Sequence, residues 1–96
     1  MKDKQTEGWV FILSSELGYK FGCSKNLKKR VLSILAKSTL QHIQIDSHYK
    51  VNNMFEVKSH LNQLYNHRID EGWFRLGAWE IEKLHEYLLE NQIPHK

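Results

Sequence analysis

The chain has 96 residues, 41% hydrophobic and 26% charged, with a formal net charge of +3, which suits one compact domain with one modest core and leaves too little for two. Three Trp, four Tyr and four Phe set it apart from disordered sequences. A single cysteine, Cys23, excludes an intrachain disulfide, no apolar run reaches membrane-spanning length and no signal-peptide pattern is present, so a cytoplasmic protein is expected.

Residues 1–7 are polar and read as an N-terminal tail, 8–93 as a single domain, and 94–96 as a C-terminal tail. From Gly8 the sequence turns apolar as Trp-Val-Phe-Ile-Leu, a run too short for a helix and rich in strand formers, which predicts a strand over about 9–14 covered on both faces. Ser14 to Gly18 has turn chemistry, and Tyr19 to Cys23 makes the returning strand of a hairpin. Pairing Leu13 with Gly18 sets Phe11 opposite Lys20. Alternation then puts Trp9, Phe11 and Leu13 with Lys20 and Gly22 on one face, and Val10 and Ile12 with Tyr19, Phe21 and Cys23 on the other. Gly22 removes a side chain where the strand hands over to a helix and where a ligand can approach the backbone.

Ser24 or Asn26 caps the first helix, whose apolar stripe is Leu27, Val31, Ile34 and Leu35. Lys25, Lys28 and Lys29 fall on its wet side, and Arg30 sits at the border of the stripe, aimed toward the sheet. From Gln41 to Val51 a period-two pattern predicts an edge strand with His42, Gln44, Asp46 and His48 on the wet face. Asn52 or Asn53 caps a second helix with Met54, Val57, Leu61, Leu64 and Tyr65 buried, and Glu56 and His60 four apart beside that stripe. Arg68 to Gly72 breaks this helix. Trp73 to Leu76 is a short strand-like piece, and a last helix buries Ile81, Leu84 and Leu88 before Pro94.

The order is β-β-α-β-α-(β)-α, an α/β chain of the α+β type. Its expected architecture is a small three-stranded, mainly antiparallel sheet packed with three helices.

The charge is unevenly spread. Residues 1–50 carry nine Lys or Arg against four Asp or Glu, and residues 51–96 carry five against seven. Lys20, Lys25, Lys28, Lys29, Arg30 and Lys37 lie between Glu16 and Asp46 with no acidic residue among them. A local positive field of this kind points to a polyanionic partner, and these lysines, Gly22 and Arg30 are the candidate nucleic-acid contacts. A lysine and an arginine near one sheet surface, with a Glu/His pair on another helix, are also what phosphodiester cleavage asks for: cations on the phosphate, a carboxylate for a divalent ion, and a group that activates water.

The order of these pieces resembles the GIY-YIG nuclease superfamily over nearly the whole chain, from Trp9-Val10-Phe11 through Lys20-Phe21-Gly22 and Asn26-Leu27-Lys28-Lys29-Arg30-Val31 to Glu56 and Trp73-Phe74. The Asn-Leu-Lys-Lys-Arg-Val run is similar to the matching helix of the excision-repair incision subunit. Glu56, His60 and Glu71-Gly72-Trp73-Phe74 are similar to the small phage-associated branch whose second signature reads Tyr-Lys-Ile-Gly. The resemblance implies a metal-dependent DNA endonuclease in which Arg30 contacts the scissile phosphate, Glu56 binds one Mg²⁺ or Mn²⁺, Gly22 closes the second signature, and His60 positions water or the metal.

Two positions depart from the family pattern. Phe11 stands at the tyrosine of the first signature and Lys20 at that of the second. Loss of a general base typically removes ~10²–10⁴ in rate, so any hydrolysis is expected to be weakened, with Lys20 or His60 as the replacement base. Tyr19 is adjacent, but alternation turns it to the other face. Two further readings follow: a catalytically inactive nucleic-acid-binding module on the same fold, and a small interaction or inhibitor protein whose basic helix binds an acidic protein. So small a domain would need a homodimer or protein partner for strong site specificity.

Overall fold

The computed structural model describes residues 6–37, 42–70 and 72–93. Gln41, Glu71, Pro94 and most of the two expected tails lie outside these. The elements are β1 (Gly8–Ser15), β2 (Gly18–Ser24), α1 (Leu27–Lys37), β3 (Gln44–Val51), α2 (Met54–Leu64), a 3-10 turn (Asn66–Arg68), β4 (Ile69–Asp70), β5 (Trp73–Phe74) and α3 (Ala78–Asn91). The α+β class holds. The expected three-stranded sheet is corrected to five antiparallel strands in the order β3-β1-β2-β5-β4. The two additional strands are two-residue pieces, too short to carry an alternating pattern, and they form a hairpin about Gly72, whose φ of 82° suits glycine.

Central β1 is buried from both sides, as its continuous apolar run requires. Val10 and Ile12 face a core built from Met54, Val57 and Leu61 of α2 and Leu84 and Leu88 of α3. Phe11 and Leu13 face the opposite way, against Val31 of α1 and Trp73. The sheet is thus sandwiched between α1 on one face and the α2–α3 pair on the other. Two residues of the expected stripes are exposed, Leu35 at 41% and Leu64 at 49%, since each lies at the margin of its helix's contact with the sheet, and Leu27, Ile34 and Ile81 are half-buried.

The first hairpin keeps the expected faces but is shifted by one pleat. Leu13 pairs with Lys20 and Phe11 with Gly22, because the strands run on to Ser15 and Gly18 around a two-residue turn. Gly18 has a φ of 127°, and a Cβ there would run into the carbonyl oxygen of Phe74, where β5 docks on β2.

β3 is an edge strand, as its pattern predicts. Its simple alternation fails at Asp46, which is left unopposed when the register passes from Ile12↔Ser47 to Leu13↔Ile45. Such a bulge re-aims a side chain. Asp46 and Tyr49 both reach α3 here: the Tyr49 hydroxyl shares a 2.8 Å hydrogen bond with His85 Nδ1, and His85 Nε2 lies 3.3 Å from Asp46 Oδ2. His48 packs instead against the Trp9 ring, at 5.3 Å between centroids. Among the described residues no helix is long and apolar enough to cross a membrane.

Candidate functional site

Asn26 starts α1 by accepting a hydrogen bond at its side-chain oxygen from Lys29 N–H at 3.1 Å, while Ser24 Oγ accepts from Asn26 N–H at 3.0 Å. This double anchor fixes the rotation of α1. Val31 and Ile34 are set on the Phe11 side of the sheet, and Arg30 at the lip of that contact.

Beside it the sheet has an open edge. β5 pairs with β2 only at Tyr19↔Phe74, so Phe21, Gly22 and Cys23 line the floor of a cleft instead of meeting a further strand. The cleft measures about 630 Å³ and is walled by Arg30 and Ile34 of α1 and by Phe55, Lys58, Ser59 and Asn62 of α2. Lys20 joins the lining from β2, its Nζ held 4.6 Å above the ring of buried Trp73. Three cations from three elements therefore share one concavity, and among the described residues no Asp or Glu lines it.

Gly22 lies in the floor for a reason other than ligand approach. A Cβ on it would overlap the Cζ of Phe11 and sit 2.5 Å from its Cε1, so the space that glycine leaves is filled by that ring. Phe11 is fully buried, its para carbon against the β2 backbone.

Cys23 is half-buried between the same cations. Burial pushes its thiol up, and the positive charges of Lys58 and Arg30 oppose that shift without cancelling it. The Tyr65 phenol is raised by burial and by Glu80, and the Tyr87 phenol by burial and by Glu56. All three protons are held more tightly in the folded chain than in the unfolded one. The stability that these three groups contribute is accordingly constant below about pH 9 and falls as the pH passes the ordinary thiol and phenol values of 9.0 and 10.0. Thermal melting between pH 7 and 10.5 should show a falling Tm, and Cys23→Ser should delay its onset. A flat profile would contradict these assignments.

Glu56 and His60 do not share the Arg30 cleft. They line a second cavity of about 410 Å³ with Asn52, Asn53, Tyr87 and Asn91, and no residue lines both. Arg30 and Glu56, which the resemblance would set to work on one phosphate, thus line separate cavities. Glu56 belongs to the first turn of α2: Asn53 Oδ1 accepts from Glu56 N–H at 3.3 Å, and Glu56 Oε1 accepts from Asn53 Nδ2 at 3.2 Å. A carboxylate at this position complements the helix dipole. His60 stacks on Tyr87 with 4.9 Å between ring centroids.

Of the other expected site residues, Tyr19 packs into the α2–α3 core, on the opposite sheet face from Phe11 and Lys20. Lys25, Lys28, Lys29 and Lys37 are exposed on and before α1 without lining the cleft. Phe55, Lys58, Ser59 and Asn62 are the residues that sequence reasoning missed. Their signal was a second stripe on α2, spaced three and four residues apart and flanking the buried one.

The residues do not fit a divalent ion acting on a phosphate held by Arg30. Among the described residues no carboxylate lines that cleft, and the one at Glu56 stands in the other cavity, engaged by its own cap. Among the described residues no three His, Cys, Asp or Glu side chains gather in a metal-binding group.

No protein-family model, curated protein or solved structure matches this chain.

Proposed function

We propose that the chain is a nucleic-acid-binding module that holds a phosphate of its partner in the β2-edge cleft and leaves the phosphodiester intact. The observation that carries this reading is the convergence of Lys20, Arg30 and Lys58 on one concavity, with no carboxylate among its described lining residues. An arginine and two lysines supply fixed and flexible donors to phosphate oxygens, and the exposed Lys25, Lys28 and Lys29 extend the positive field along α1. Phe11 stands where the family has a phenol, so the cleft lacks that proton relay, which fits binding better than hydrolysis. DNA is the partner that the GIY-YIG resemblance implies. A lone thiol suits the cytoplasm as its location.

A second reading, weakened metal-dependent hydrolysis of that DNA, is favoured by Gly22 and Arg30 lining the same cleft, as the resemblance implies. The two part in one experiment. Supercoiled, linear and single-stranded DNA are incubated with the protein, with Mg²⁺, Mn²⁺ or EDTA, alongside Arg30→Ala and Glu56→Ala. Binding without cleavage is expected, unchanged by EDTA and by Glu56→Ala and weakened about tenfold by Arg30→Ala. Metal-dependent cleavage abolished by both substitutions would establish the hydrolytic reading instead. Failure of any DNA to bind would leave the acidic-protein partner.

A further inference from the structure

Phe55 sets the cleft apart from a plain phosphate cradle. It follows the cap of α2, where Met54 and Val57 turn inward to the core, yet its own ring is 59% exposed and forms part of the wall that carries Lys58. An exposed aromatic ring beside three cations offers a stacking face to a flat apolar partner that also carries negative charge. Beyond it the wall changes character. Ser59 and Asn62 line the cleft and also a shallower hollow of about 370 Å³ shared with Gln63 and Asn66. One side of α2 therefore presents, in order, an aromatic face, a cation, a hydroxyl and two amides, over roughly 12 Å at 1.5 Å per residue from position 55 to 63, and Asn66 of the 3-10 turn adds a third amide beyond it.

We infer that the cleft and the adjoining hollow take an unpaired nucleic-acid strand, with a phosphate on Arg30, Lys58 and Lys20, a base stacked on Phe55, and neighbouring bases read by Asn62, Gln63 and Asn66. The inference rests on the phosphate-binding reading above and adds the strand state. In a duplex the base faces are already stacked and the Watson–Crick edges paired, so the ring would find no partner and the amides only groove edges. In a single strand both are free, and stacking on an aromatic side chain tolerates any base. The ribose 2′-hydroxyl is not needed for this, so DNA and RNA strands share the chemistry.

The test measures fluorescence anisotropy with labelled oligothymidylate, the matching oligouridylate and a duplex of equal length, at one salt concentration. The single strands are expected to bind more tightly than the duplex. Phe55→Ala should weaken them about tenfold or more while leaving duplex affinity within about twofold. Phe55→Trp should keep single-strand affinity and lose indole fluorescence on binding. Phe55 lies outside the core, so the melting curves of both variants should match that of the parent. Preference for the duplex, or indifference of single-strand binding to Phe55→Ala while Arg30→Ala still weakens it, overturns the strand inference and leaves the phosphate reading standing. Loss of all binding, or binding indifferent to Arg30→Ala, overturns both.

Discussion

Gly22→Ala is expected to lower the stability of the domain by about 2–3 kcal/mol, the upper part of the range for overpacked cores, and the Tm by roughly 10–20 °C for a domain of this size. The cause is one methyl group. The new Cβ would overlap Phe11 Cζ, with Cε1 at 2.5 Å and Cε2 at 3.1 Å. Phe11 is fully buried and packs with Leu13, Val31 and Trp73, although it also borders the cleft. A rigid ring packed in this way relieves such an overlap by tilting into the cleft or by moving β1 or α1, and either disturbs the packing of that core. Phe11→Leu removes the distal ring atoms, so the Gly22→Ala, Phe11→Leu pair should be more stable than the sum of the two single losses predicts, a coupling readable in a double-mutant cycle by denaturant unfolding. Unchanged melting of Gly22→Ala would show that the ring has slack. This coupling also bears on the cleft, since its floor is the β2 backbone held against that ring.

The same pair shows how far the sequence could be read. The alternation of Val10 and Ile12 against Phe11 and Leu13, and the helical spacing of Leu27, Val31 and Ile34, encode which face each side chain buries, and those assignments agree with the structure. Pattern survives a two-residue slip, so the faces were legible even though the pairing of Phe11 with Gly22 was not. Ile69–Asp70 and Trp73–Phe74 escaped as a hairpin because two residues carry no period, and their pairing depends on the docking of Phe74 beside Tyr19. The bulge at Asp46 likewise follows from contacts with α3 rather than from local composition.

Reading the site failed at one definite step. The buried stripe of α2 has two flanks, Phe55, Lys58, Ser59 and Asn62 on one and Glu56 and His60 on the other. Sequence spacing identifies both flanks. Which of them meets the open edge of β2 depends on the direction in which the helix crosses the sheet, and no periodicity records that. Arg30 was legible because α1 follows β2 directly through the capped turn at Ser24 and Asn26, leaving little freedom in its placement. Lys58 was not, as it reaches the cleft through a helix that enters from the far edge strand.

Arg30→Ala combined with Lys58→Ala should reduce nucleic-acid affinity about a hundredfold at low salt, taking about tenfold for each charge-assisted contact. Position rather than net charge is the reason, and Lys28→Ala combined with Lys29→Ala is the matching control: it removes the same charge from the exposed face of α1, outside the cleft. Arg30 of α1 and Lys58 of α2 line that cleft from its two helical walls. The control lysines attract a polyanion through solvent, an effect that fades beyond the ~10 Å screening length at 0.1 M salt. Titrations from 50 to 300 mM salt separate the two. Each bound phosphate lost lowers the slope of log affinity against log salt by about 0.7–0.9, so the cleft variant should lose both slope and affinity at every salt concentration, whereas the control should approach the parent as salt rises. Equal losses in the two variants would mean that the positive field of α1 alone does the binding and that the cleft has no part in it.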